Sequence, residues 1–297
     1  MTGSTYAVAN LAGSAGKTTT VTTIAVLLAQ SGFRVRVVDL DSQANASTWL
    51  GWPHADGITV ADLLRRAATV ANVERPARII QGFADGGTPI YSDSNDPTDP
   101  DAFIQNLTIL PAARSSLDKL VVELPAINGG VMHLRDALDE AEPVDVTLID
   151  CPGSLNVLVL AGLLATSISE EGSPGSWGAI TCTKLAGKEA EGIPALFKEL
   201  RTLKKTFRID IPVLSIVPCI VPPRGAVYRE QSEDLIEAFG DLVAPPVRQA
   251  SAVDAAYTNY VPVPLFGYKA KDVIHDYQAV VSHMQSQGLF QPTAVSA

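Results

Sequence analysis

The stretch that most constrains this chain is Asn10-Leu11-Ala12-Gly13-Ser14-Ala15-Gly16-Lys17-Thr18-Thr19-Thr20. It follows a short apolar run, Tyr6-Ala7-Val8-Ala9, that reads as a strand, and it precedes Val21 to Gln30, which reads as a helix. A loop of small residues between a strand and a helix, ending Gly-Lys-Thr-Thr, is a phosphate cradle. Its backbone N–H groups and the helix N-terminus face the phosphate oxygens. Gly13 and Gly16 let the backbone come close to them. Lys17 supplies a point charge to the β and γ oxygens, and the Thr18 hydroxyl is a ligand for Mg2+. Gly13, Ser14, Ala15, Gly16, Lys17, Thr18 and Thr19 are therefore the candidate nucleotide contacts. The usual pattern, G-x-x-x-x-G-K-[ST], has glycine where Leu11 stands here.

Two further strands end in carboxylates. Arg34-Val35-Arg36-Val37-Val38-Asp39 reads as the second strand, continued by Leu40-Asp41-Ser42-Gln43-Ala44-Asn45. In a doubly wound sheet the carboxyl ends of the strands are where ligands bind. Period-two spacing points Asp39 and Asp41 the same way while the strand lasts. A solvated acidic turn is the bland alternative; beside a phosphate loop the functional reading is preferred. Val144 to Asp150 is another apolar strand ending in Asp, followed by Cys151-Pro152-Gly153-Ser154. That is the Walker B pattern, in which the Asp orients Mg2+ or its water. The Gly153 N–H is placed to sense the γ-phosphate. Cys151 has no partner His or Cys in sequence and reads as a small packing residue.

The remaining chain alternates in the same way. Ile58 to Arg66 reads as a short helix, and residues from about 72 to 106 as an irregular insertion rich in turn chemistry. Strands are expected at Leu107–Pro111, Trp177–Thr183 and Ile211–Val217, and helices at Val131–Asp139, Glu189–Lys205, Tyr228–Phe239 and Asp272–Gln287. The last helix shows no strong apolar stripe. Val261 to Phe266 reads as extended, and the tail after Gly288 as loose. Lys198, Arg201, Lys204 and Lys205, then Arg208, lie on or near one helix. They are either an ordinary solvated face or a patch for a phosphate backbone. The alternation predicts an α/β three-layer sandwich: a mainly parallel twisted sheet with helices on both faces and right-handed crossovers. One P-loop domain is expected over residues 1–290, with the insertion at about 72–106 and a flexible 291–297.

Composition sets outer limits. The 297 residues carry 22 basic and 32 acidic side chains, a net charge of −10, which argues against a chain built chiefly to coat nucleic acid but leaves room for a local basic patch. The cysteines, Cys151, Cys182 and Cys219, have no metal or cluster spacing, and His54, His133, His275 and His283 form no ligand pattern. With no export signal and no long apolar run, a cytoplasmic protein without a membrane anchor is expected.

With these motifs in place the chain resembles the ParA/MinD group of P-loop ATPases, of the SIMIBI type. Gly13 to Thr19 is similar to the group's K-G-G-V-G-K-T-T, Val37 to Ala46 to its V-D-x-D-P-Q-x-N-x, and Leu148 to Leu155 to its I-I-D-x-P-P-S-L. A weaker similarity runs from Val247 to Val263. Within the group the best match is to the ParA partition ATPases. The resemblance implies that Asp41 orients or activates the attacking water, and that Asp39 and Asp150 hold the Mg2+ shell with Thr18. It implies ATP-driven homodimerisation, non-specific DNA binding that places the protein on the nucleoid, and hydrolysis stimulated by a ParB-like activator. The P-loop lies almost at the first residue, so operator-specific DNA binding through an N-terminal extension is not expected. One departure stands out: Ala12 occupies the position of the lysine that crosses the dimer interface in the group, and Ser14 replaces its second glycine. Another cation, with Arg224 as the candidate, takes over that role; or hydrolysis is very slow; or the dimer assembles differently. The competing expectation is a nucleotide-gated positioning or scaffold protein of the same group, with a protein cargo and little or no ATPase activity.

Overall fold

Strands whose residues are apolar in unbroken runs bury both faces, which is the condition for a parallel sheet covered by helices. The computed structural model describes residues 3–11, 15–53, 55–85, 87–169, 176–185, 192–222, 224 and 226–291. In it β1 (Ser4–Val8), β2 (Val35–Asp39) and β7 (Val146–Asp150) are buried at every residue. With β3 (Arg75–Arg78), β6 (Phe103–Leu110), β8 (Trp177–Thr183) and β9 (Val213–Pro218) they form a seven-stranded sheet in the order β3-β6-β2-β7-β1-β8-β9. All neighbours run parallel except β3, which is antiparallel to β6 at the edge. β4 (Ile80–Phe83) and β5 (Pro89–Tyr91) make a separate two-stranded sheet.

Helices cover both faces. On one lie α1 (Lys17–Gln30), α2 (Asn45–Trp49), α10 (Ser251–Thr258) and α11 (Lys271–Ser286), whose Ile24, Leu28, Trp49, Ala256 and Tyr277 share a core with Tyr6, Val37 and Leu148. On the other lie α3 (Val60–Leu64), α4 (Val70–Val73), α5 (Arg114–Glu123), α6 (His133–Asp139), α7 (Val157–Ala165) and α8 (Gly192–Phe207), packed on Ala7, Val38 and Ile149. α9 (Ala226–Phe239) leans on α8 through stacked rings of Phe239 and Phe197, 5.7 Å apart. No helix of the described residues is long and apolar enough to cross a membrane.

Four local expectations change. The segment from 72 to 106 is not irregular throughout: it holds β3, the β4–β5 hairpin and the start of β6. Aromatic contacts order it. The Arg78 guanidinium lies 4.2 Å over the Tyr91 ring, the Tyr91 hydroxyl donates to the Gly51 carbonyl at 2.8 Å, and Phe83 packs on Tyr260 at 4.6 Å. Val261–Phe266 is not extended, because Val263–Leu265 makes a 3-10 turn. α11 does carry an apolar stripe: Val273, Tyr277, Val280 and Met284, spaced four, three and four apart, are all buried. The chain after Gly288 returns to the core. Leu289 and Phe290 are buried; the Phe290 ring meets Tyr6 edge-on at 5.1 Å, and its N–H donates to the Tyr6 hydroxyl at 3.1 Å.

That docking should be measurable. Phe290→Ala is expected to destabilise the fold by about 3–5 kcal/mol in urea unfolding, the usual cost of emptying a buried phenylalanine site. A loss below about 1 kcal/mol would mean that the chain end is not part of the core.

Candidate functional site

The sheet register assembles the site. Asp39 pairs with Asp150 across β2 and β7, and Val8 pairs with Asp150 across β1 and β7. Two acidic strand ends therefore lie side by side, next to the strand that feeds the phosphate loop. Gly16, at φ +87°, turns the chain into α1 in a left-handed conformation, and a Cβ there would stand 3.0 Å from Cys219 Cβ. The first helical bond, from Thr20 N–H to the Gly16 carbonyl, is 2.9 Å. Thr20 fixes this end of α1 to the C-terminal part of the chain, its hydroxyl 3.1 Å from that of Tyr277.

At this end of the sheet a cavity of about 990 Å3 is lined by Ala15, Gly16, Lys17, Thr18 and Thr19, by Asp41, and by Gly153. These expected residues are thus brought together. Gly13, Ser14 and Ala12 lie outside the described residues. Asp39 and Asp150 are fully buried, and Arg224 is exposed and outside the lining. Lys17 is only 6% exposed, so its side chain is already largely desolvated.

The two carboxylates near the start of the second motif do not act alike. β2 ends at Asp39, so the period-two argument stops before Asp41. One Asp39 oxygen accepts from the Ser47 N–H at 2.8 Å and the Ser47 hydroxyl at 2.7 Å; the other accepts from the Asp41 N–H at 3.1 Å. Asp41 is half-buried at the cavity and accepts from the Gln43 N–H at 2.9 Å. Burial pushes the Asp39 carboxyl up to about 7, with the Asp41 charge adding to it and the Ser47 bonds opposing it. Asp150 is raised well above the carboxylate range by burial and then by the charge of Asp39.

Neither Asp150 oxygen has a hydrogen-bond partner among the described residues. The Thr18 hydroxyl is close enough to favour the charged form but makes no bond of acceptable geometry. A buried carboxylate left in this way is expensive. A hard divalent cation at Asp150 and Thr18, with Asp39 nearby, meets that need. Mg2+ suits it, because it takes oxygen ligands and keeps several of its waters.

Other lining residues gave no signal in sequence. Asp118 comes from α5, and Ile220 follows β9 at φ +56°, a rare backbone for a β-branched residue. Tyr257 reaches the cavity from α10, its hydroxyl donating to Asn45 Oδ1 at 2.8 Å and its ring 5.6 Å from Trp49. Asn45, like Ser42, Gln43, Pro152 and Ser154 of the lining, lies within the motifs that pattern reading picks out.

The basic candidates lie elsewhere. α8 buries Ile193, Leu196, Leu200 and Leu203 at helical spacing and exposes Lys198, Arg201 and Lys205 away from that stripe and Lys204 at its edge, with Arg208 just beyond the helix end. Lys204 is ion-paired with Asp210.

Comparison with known proteins agrees with this geometry. A family model described as an AAA domain matches residues 3–213. The chromosome-partitioning ATPase Soj of Treponema pallidum is 28% identical over 242 residues, covering 81% of each chain. A Cyanothece McdA variant in complex with ATP superposes with a TM-score of 0.73 at 18% identity, covering 98% of each chain. Cobyrinic acid a,c-diamide synthase from Mycobacterium smegmatis, with bound ADP and magnesium, gives 0.68 at 24% identity, covering 99% of this chain and 100% of that one. The last two likenesses concern the fold.

The unpartnered Asp150 gives a stability signature. Its raised folded-state pKa means that stability is fully present below the carboxylate range and is lost as pH rises. Asp150→Asn is therefore expected to stabilise the metal-free protein at pH 7 and to have little effect at pH 4. It should also abolish the extra stability that Mg2+ with ATP gives the wild type. Equal stability of the two proteins at pH 7 in urea unfolding would show that the carboxylate is already compensated.

Proposed function

This chain belongs to the AAA domain family and to its ParA/MinD-type ATPases, and on that premise we propose that it is an Mg·ATP-dependent molecular switch for DNA partition. The observation that carries this reading is the buried, unpartnered Asp150 beside Thr18, a residue that lines the cavity together with Lys17. Lys17 and the N–H groups at the start of α1 hold the β- and γ-phosphates. Thr18 and Asp150 would hold Mg2+, with Asp39 fixed beside them, and the ion would neutralise phosphate charge. Asp41 faces the cavity and directs a water at the γ-phosphorus; the water's oxygen bonds to phosphorus as the bridging oxygen leaves with ADP. The Gly153 N–H senses whether the γ-phosphate is present. ATP favours a homodimer, the dimer binds DNA non-specifically through Lys198, Arg201, Lys204, Lys205 and Arg208, and a ParB-like activator speeds the slow hydrolysis that releases it. The protein is then on the nucleoid with ATP and free in the cytoplasm with ADP. Relatives named for chromosome partitioning support this reading.

Ala12 favours a second reading, because an uncharged side chain at the signature position supplies nothing across a dimer interface. In it the protein is a nucleotide-gated positioning or scaffold protein that carries a protein cargo with little turnover. DNA binding separates the two. The partition reading predicts binding to random-sequence duplex with ATP and not with ADP at moderate salt. Asp41→Ala should keep that binding while losing turnover. The triple substitution Lys198→Ala, Arg201→Ala, Lys205→Ala should weaken binding at least tenfold and reduce the salt slope by about 3. Absence of ATP-dependent binding in the wild type would leave the scaffold reading standing.

A further inference from the structure

One arginine outside all the expected motifs reaches the loop that carries Asp41. Arg114 opens α5, where its Nε donates to the Ser42 carbonyl at 3.4 Å and its Nη2 donates to Gln43 Oε1. The loop it grips is a closed turn. The Ala44 N–H donates to the Asp41 carbonyl at 2.8 Å, the Gln43 N–H donates to the Asp41 carboxylate, and Ala44 sits at φ +54°. The turn is ordered within itself, and Arg114 fastens it to the neighbouring helix.

The same junction supports the other carboxylate. Two residues before Arg114, the Ala112 N–H donates to the Ser47 hydroxyl at 2.9 Å, and that hydroxyl donates to Asp39. The step from β6 into α5 therefore holds Asp39 through Ser47 and the Asp41 turn through Arg114. Asp118 and Val121, four and seven residues further along α5, line the nucleotide cavity, so Arg114 lies on the helix face turned toward it.

From this arrangement we infer that Arg114 is a positioning residue for ATP hydrolysis: it sets the Asp41 carboxylate against the attacking water by holding Ser42 and Gln43. The inference rests on the reading above, that Asp41 directs this water. The forked guanidinium suits the task, since it reaches acceptors on two successive residues at once, whereas a lysine is a point donor. A misplacement of about 1 Å in a reacting group costs on the order of 10²-fold in rate. With no charge at Ala12, the placement of Asp41 has correspondingly more to supply.

The test compares wild type, Arg114→Ala and Arg114→Lys as full chains. Three quantities are read: ATP turnover, affinity for a fluorescent ATP analogue with Mg2+, and amide exchange at Gln43 and Ala44. Arg114→Ala should lower turnover by about 10- to 100-fold with affinity within about threefold of wild type, and should speed exchange at those two amides while the central strands stay protected. Arg114→Lys should fall between, and millimolar guanidinium should restore part of the Arg114→Ala rate. Turnover within twofold of wild type, an affinity loss that matches the rate loss, or unchanged exchange would overturn the inference. Should the wild type hydrolyse no ATP, the hydrolysis reading fails by itself. Exchange in the nucleotide-free protein then still decides: faster exchange in Arg114→Ala upholds the hold on the Asp41 turn, and unchanged exchange refutes it.

Discussion

The site depends on two carboxylates placed at paired positions of adjacent parallel strands. Asp39 and Asp150 are both fully buried, and the charge of Asp39 adds to the cost of ionising Asp150. The fold compensates them unequally. Ser47 gives Asp39 two donors and the Asp41 backbone gives it a third, while among the described residues Asp150 receives none. One half of the pair is thus structurally settled, and the other has oxygens that a cation would satisfy. Removing a buried polar partner is costly, but leaving one uncompensated by construction is how a fold reserves a place for a ligand. The phosphate loop lies beside that place because β1 is the neighbour of β7.

The support for this pair comes from farther along the chain than the motifs themselves. β6 lies next to β2, so the residues that follow it, Ala112 and Arg114, meet the segment that follows β2. α10 and α11 close the opposite side, with Tyr257 at the cavity and Tyr277 against Thr20. Binding residues grouped within a few positions of each other are thus held by contacts that span most of the sequence.

This explains which parts were legible. The helix start at Gly16-Lys17, the strand-end positions of Asp39 and Asp150 and the parallel sheet were readable because each depends on a local pattern: a glycine-lysine turn, or an apolar run ending in Asp. Ser47, Ile220 and Tyr257 were not, since their roles arise only when β6, β9 and α10 pack around the strand ends. The β4–β5 hairpin was hidden by its turn residues, which give sequence no apolar alternation; Arg78, Tyr91 and Phe83 order it through ring contacts instead. The α11 stripe was obscured because Tyr277 and Met284 alternate with His and Gln. The pairing of Asp39 with Asp41 by period failed for a simpler reason, that the strand ends between them.

The geometry also separates the proposed DNA face from the nucleotide. α8 starts where Gly192 would clash with Asn10 if it carried a Cβ, close to the phosphate loop, while Lys205 lies thirteen residues on, about 20 Å along the helix. In the proposed reading, nucleotide state reaches the far end of that face through a change in assembly. The most direct test is sedimentation velocity of the wild type and Asp41→Ala with Mg·ATP, with Mg·ADP and without nucleotide. The account predicts dimers with Mg·ATP, more persistent in Asp41→Ala, and monomers in the other two conditions. A single species of unchanged size in all three would contradict it.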